Sequence, residues 1–167
     1  MRGARWLLVF LVACMSEAKE PVADECGNKK SAYVAVHAKA HELLLCDGGV
    51  AVERFDVRLA KNGLGKRAEG DGKLPLGTYP LADAIPSARF GSFLLVGYPT
   101  PAQRAQGMTG SAVGVHGPAR NVRFLGGLVN TFDLTDGCIG LAHDEEVTRI
   151  AAFVRHRNAH TIVIDDQ

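Results

Sequence analysis

The chain has 167 residues, of which 47% are hydrophobic and 22% charged, enough for one globular domain with a moderate core. Lys and Arg number 19 against 18 Asp and Glu, a net charge of +1 without the clustered basic excess of a nucleic-acid binder. The 19 glycines, several in Asp-Gly or Gly-Gly pairs, point to a turn-rich, mainly β fold with one or two helices.

The N-terminus reads as a leader. Arg2 and Arg5 precede the apolar run WLLVFLVA (6–13), which is too short to span a membrane as a helix and has the form of a signal-peptide core. The run ends in Leu11-Val12-Ala13-Cys14, which resembles a bacterial lipobox; the alternative is an ordinary secretory signal with an incidental cysteine. Residues 1–13 are therefore expected to be removed as a lipoprotein signal, with Cys14 lipidated. The domain would then hang from a membrane outside the cytoplasm, the outer membrane where there is one, since Met15 rather than aspartate follows. Loss of residues 1–13 removes two arginines and no acid. Residues 14–30 are polar and read as a tether, leaving 31–167 as the domain.

Two strands, SAYVAVHA (31–38) and HELLLCDGG (41–49), flank a turn at Lys39-Ala40, and VAVERFDVRLA (50–60) extends the sheet. The glycine- and proline-rich segment 61–81 predicts a long loop entering a strand near 78–81. SFLLVGYP (92–99) is a further strand, 100–112 an irregular polar stretch, and AVGVHG (112–117) a short strand ending at His116. One helix is well marked: Asp144 as cap, Glu145 and Glu146 against the dipole, and Val147, Ile150, Ala151 and Val154 at helical spacing. Arg155 and Arg157 occupy its last turn and Asn158 its C-cap, before a final strand TIVI (161–164).

If Cys14 carries lipid, three cysteines remain in an oxidising compartment, where two tend to pair. Cys26 and Cys46 are close in sequence, and a bridge between them closes a loop of about 20 residues, for roughly 3 kcal/mol. A turn at 39–40 places Cys46 opposite Tyr33, so Cys26 has to fold back from the tether. That leaves Cys138, in DLTDGCIGL (133–141), as a free thiol at a turn. Such a thiol is either a nucleophile or a buried packing residue. As a nucleophile it needs a base, usually histidine, and backbone amides for the oxyanion; Gly137 also lets a substrate approach without a Cβ in the way. Six histidines compete for the role of base. His37 and His41, with Cys46, do not read as a metal set, because strand residues four apart lie about 13 Å from each other. They are expected as exposed hairpin residues. His156 and His160 read as surface or dipole-complementing residues, and His143 has no evident partner.

The run GVHGPARNVRFLGGLVNTFDLTDGCIGL (114–141) resembles the catalytic core of the L,D-transpeptidases, the YkuD-type cell-wall cysteine enzymes. It carries a His-Gly (His116-Gly117), a variable loop, and then Thr135-Asp136-Gly137-Cys138. Upstream, GKRAEGDGKLPLGTYPL resembles the family's loop through Lys66, Glu69, Gly70, Asp71, Pro75, Gly77 and Tyr79. FLLVGYPTPAQR, with Tyr98, resembles the YafK-like branch. The chain departs from the common pattern in Thr135-Asp136 for Ser-His, in Gly140 where many members carry Arg or Asn, and in Leu74 for a threonine.

The resemblance implies a sandwich- or barrel-like β domain with His116 as base and Cys138 as nucleophile. The Gly137 and Cys138 amides would hold the oxyanion, Thr135 would shape the loop, and Gly117, Thr135, Asp136 and Tyr98 would bind substrate. A backbone carbonyl, rather than Asp133 or Asp136, would orient the base. It implies no metal or cofactor, a monomer, and peptidoglycan stem peptides as partners. The reaction would be 3→3 cross-linking or protein attachment on tetrapeptides; the alternatives are an L,D-carboxypeptidase or hydrolase with the same residues, and a non-catalytic peptidoglycan-binding module. Glu69 and Asp71 are expected in a solvated loop.

Overall fold

The computed structural model describes residues 25–121, 124 and 133–167; Cys14 and the leader lie outside them. β1 (Tyr33–His37), β2 (Glu42–Asp47) and β3 (Val50–Asp56) form an antiparallel meander. β4 (Gly77–Ser87) and β5 (Gly91–Val96) form a hairpin, followed by α1 (Pro101–Ala105), β6 (Gly114–His116) and β7 (Ile139–Gly140). α2 (Asp144–Arg157) then leads into β8 (Thr161–Asp165). Among the described residues these strands make one sheet in the order β3-β2-β1-β8-β4-β5-β6-β7.

β4 joins the two halves of this sheet. Its first residues, Gly77 to Pro80, pair with β8, and from Leu81 onward it pairs with β5, with a register irregularity between Leu81 and Ala84. The sheet also curls far enough for its two ends to meet. Just past β3, Arg58 N–H donates to the Gly140 carbonyl and Gly140 N–H to the Arg58 carbonyl, each at 2.9 Å. Ala60 and Thr135 form a parallel bridge, with Lys61 N–H donating to the Thr135 carbonyl at 3.0 Å and Thr135 N–H to the Leu59 carbonyl at 3.2 Å. Among the described residues the larger of two apolar clusters draws on both halves, including Val34, Leu43, Leu94, Val115, Ile139 and Ile162, and the smaller gathers Tyr33, Ala35 and Leu44 around Cys26 and Cys46. α2 covers β4, β5 and β6 through Val147, Ile150 and Val154, the stripe its spacing predicts.

The mainly β class and the curled, barrel-like sheet agree with the expectation from sequence; several local features differ. Residues 100–112 are not wholly irregular, because Thr100 caps α1: its hydroxyl accepts the Gln103 amide, and the Gln103 side chain accepts the Thr100 amide. The signal, Thr-Pro-x-Gln, is a capping box with proline at the first helical position. β4 runs from Gly77 to Ser87, well beyond the strand expected near 78–81. The N-cap of α2 is His143 rather than Asp144, and Glu146 accepts the amides of both Ala142 and His143. His37 is buried on β1 rather than exposed.

The stretch read as a tether does not stay free along its length. Residues 25–28 form a turn with Cys26 buried, and Cys26 is joined to Cys46 with Cα atoms 5.7 Å apart. Tyr33, the register partner of Cys46, donates its hydroxyl to the Cys26 carbonyl at 2.5 Å and closes the fold-back. The double substitution Cys26→Ala/Cys46→Ala should lower the melting temperature by about 6–12 °C, equivalent to roughly 3 kcal/mol for a loop of this length. Thermal melts followed by circular dichroism check this, and an unchanged midpoint would show that the loop closure adds no stability.

Candidate active site

A cavity of about 700 Å³ opens where β6 and β7 lie side by side, and both His116 and Cys138 line it. Strand pairing brings them together. β6 and β7 are parallel, with Val115 opposite Ile139 and His116 opposite Gly140. Continued back one residue, this register sets Cys138 beside Gly114. Cys138 and His116 therefore stand diagonally on one face, a spacing of about 7–8 Å that ring side chains can bridge. Gly114 makes room for the Phe93 ring, which lies against it, and Phe93 and Phe90 both stack on His116, Phe90 with ring centroids 3.7 Å apart.

The imidazole is held in one tautomer. His116 Nδ1 lies 2.7 Å from the Gly117 carbonyl, which can only accept, so Nδ1 carries the proton and Nε2 is left with its lone pair. Gly117 in turn lets α2 approach: a Cβ there would fall 2.7 Å from Asp144 Oδ1. His116 is 3% exposed, and burial pushes its pKa down to about 4, with Arg58 and Arg89 acting in the same direction against the Gly117 hydrogen bond. Burial also pushes the Cys138 thiol up, and its Sγ–H donates to the Ala112 carbonyl at 3.4 Å. At neutral pH the pair therefore rests as neutral thiol and neutral imidazole.

The turn that carries Cys138 is pinned from several sides. Thr135 Oγ1 donates to the Cys138 carbonyl at 2.6 Å, and the Gly137 amide points at the same hydroxyl at 3.4 Å. Gly137 has φ +122°, and a Cβ on it would fall 2.8 Å from the Lys73 carbonyl. The buried Lys66 lies against it from the next loop. Lys66 Nζ donates to Asp71 Oδ1 at 2.9 Å and to the Ala68 carbonyl at 3.1 Å.

The loop is solvated at Glu69, as expected, but Asp71 is half-buried and structural. Burial raises its pKa, but the amides of Ala68, Arg67 and Lys73 and the Lys66 ammonium outweigh that and hold it well below the ordinary carboxylate range. Asp136 sits on the cavity rim, exposed and paired with Lys61 at 2.6 Å. Asp133 is committed elsewhere, Oδ1 accepting the Leu59 amide at 2.6 Å and Oδ2 lying 3.0 Å from His41 Nε2. Neither aspartate is hydrogen-bonded to His116.

Tyr98, expected to face substrate, is turned inward. It is 4% exposed, packs edge-on against Tyr79 and donates its hydroxyl to the Lys66 carbonyl at 3.1 Å, so it supports the loop beneath Gly137. The aromatic wall of Phe90 and Phe93, with Arg58 and Arg89, was not singled out from sequence. The spacing of these residues gives no sign that the chain folds them onto His116.

A β domain with a free thiol and a tautomer-fixed histidine facing one cavity defines a candidate cysteine acyl-transfer centre. Residues 31–164 match the family model for the L,D-transpeptidase catalytic domain, YkuD, and the chain belongs to that family. Among solved structures it is similar to the helical cell shape determining protein Pgp2 from Campylobacter jejuni, at 21% identity and a TM-score of 0.66, over 82% of this chain and 48% of that one. It is also similar to Bd1075 from Bdellovibrio bacteriovorus, at 16% identity and a TM-score of 0.59, over 83% of this chain and 49% of that one. At these identities the likeness is one of fold, and the chain spans about half the length of either protein. No curated protein matches it.

The depressed pKa of His116 links the site to stability. In the unfolded chain the imidazole titrates near 6.5, in the fold near 4, so between these values the unfolded state binds more protons. The stabilising contribution of the neutral ring is complete above pH 6.5 and is lost as pH falls towards 4. Urea unfolding across that window should show a steeper loss of stability in the wild type than in His116→Asn; equal slopes would place the His116 titration outside it. Gly137→Ala should cost about 1–3 kcal/mol by forcing a side chain into left-handed backbone, measured in the same unfolding experiment.

Proposed function

We propose that this domain is a peptidoglycan L,D-transpeptidase that works through a Cys138 thioester. The observation carrying the proposal is the shared cavity of Cys138 and His116, with Nδ1 fixed on the Gly117 carbonyl and Nε2 free to act as base. The substrate is a stem tetrapeptide. Nε2 takes the thiol proton as Sγ attacks the carbonyl carbon of the third residue. The oxyanion is held by amides of the Gly137-Cys138 turn, which Thr135 and Lys66 keep in place. Collapse breaks the C–N bond, His116 returns the proton to the departing nitrogen, and the terminal D-amino acid leaves. An acceptor amine, deprotonated by the same Nε2, then attacks the thioester and frees Cys138.

Because thiol and imidazole both rest neutral, His116 has to act during the attack rather than stabilise a thiolate already formed. The proposal extends to location: residues 1–13 direct export, Cys14 anchors the chain, and the domain faces the periplasm at the cell envelope.

Incubation with a disaccharide-tetrapeptide, with products identified by mass, tests the reading. The expected product is a 3→3 cross-linked dimer. Disaccharide-tripeptide alone would instead assign a carboxypeptidase, in which water takes the thioester. Absence of any acyl-enzyme or product would refute the enzymatic reading. Cys138→Ala should abolish turnover, and His116→Ala should slow it by about 10²–10⁴-fold.

A further inference from the structure

The backbone hydrogen bonds that close the sheet also place a cation in the site. Arg58 and Gly140 form an antiparallel hydrogen-bonded pair, so their side-chain positions lie next to each other on one face. Gly140 has no side chain, and Arg58 fills the space: a Cβ on Gly140 would fall 2.7 Å from Arg58 Cγ and 3.1 Å from Cδ. Gly140 is at the same time the register partner of His116. The guanidinium is thus laid across the cavity wall on the side of the base, in a residue only 8% exposed. Burial lowers its pKa, yet a guanidinium stays charged at any working pH. A fixed planar cation on the wall of a cavity fits a carboxylate, which it can grip with two parallel hydrogen bonds.

The chemistry on the His116 side identifies which carboxylate. Nε2 hands its proton to the departing nitrogen, so the leaving residue lies next to the base. Its α-carboxylate is separated from that nitrogen by a single carbon. We infer that Arg58 holds the α-carboxylate of the leaving residue and restricts the enzyme to amide bonds one residue from a free C-terminus. This assignment rests on the proposed function. Among the described residues Arg89 is the other cation lining the cavity, but its guanidinium lies over the Phe90 ring, 5.0 Å from the centroid, on the β4–β5 hairpin rather than beside Gly140.

The test is binding in the Cys138→Ala protein, which cannot turn over. A stem tetrapeptide with a free C-terminus and the same peptide as its C-terminal amide are titrated by calorimetry. The free acid should bind about 10–100-fold more tightly, the range of a charge-assisted hydrogen bond. Arg58→Gln should weaken the acid to the level of the amide and leave the amide unchanged. Arg58→Lys, which keeps the stem and charge but loses the planar fork, preserves the fold and should show a reduced preference. Arg89→Gln should keep the full preference. Equal affinity for acid and amide, an undiminished preference in Arg58→Lys, or its loss in Arg89→Gln would each overturn the inference. If wild-type protein still forms the Cys138 thioester under those outcomes, only the role of Arg58 falls; if it forms none, the proposed function falls with it.

Discussion

The site depends on two backbone hydrogen bonds between Arg58 and Gly140, each 2.9 Å. They tie the segment after β3 to β7 and so bring together strands at opposite ends of the sheet order. β7 is only two residues long and has Cys138 at its entrance. So short a strand is held by its neighbours rather than by its own propensity. β6 holds it on one side and the Arg58 bridge on the other; with the bridge from Ala60 to Thr135, the turn is fixed on both edges. This explains why Gly140 suits its position: the opposed backbone must come close, and the arginine side chain needs the space a Cβ would take.

Burial then sets the chemistry. The same desolvation that lowers the His116 pKa raises that of Cys138, so the resting proton stays on sulfur. Arg58 and Arg89 reinforce the neutral imidazole. The aromatic wall of Phe90 and Phe93 excludes water from one face of the ring, and the Gly117 carbonyl fixes its tautomer. A neutral base and a neutral thiol form a reactive pair only when proton transfer and attack are coupled.

Beneath the turn lies a second polar unit with a supporting role. Lys66, Asp71 and the amides around them satisfy one another almost completely, and Tyr98 and Tyr79 pack beside them. A satisfied network of this kind, with Lys66 buried at its inner end, rigidifies what rests on it, here Gly137. Tyr98 contributes through that network and not by facing the cavity.

Much of this was legible in the chain alone. Alternation and turn residues marked the strands of the meander, and the apolar stripe of α2 emerged from its 3.6-residue period. The pattern His116-Gly117 with Thr135-Asp136-Gly137-Cys138 singled out the thiol and one histidine among six, by resemblance rather than by spacing. A capping box at Thr100 was written locally but outweighed by the polar character of 100–112, and the continuation of β4 from Ala82 to Ser87 had no clear mark in the sequence. What tertiary structure alone decided is which distant residues meet. Parallel pairing of β6 with β7, curling of the sheet until Arg58 reaches Gly140, and the burial that neutralises His116 all arise from contacts between segments far apart in sequence. Local patterning determines which face of a strand is apolar, whereas the partner across that face is selected only when the whole sheet closes.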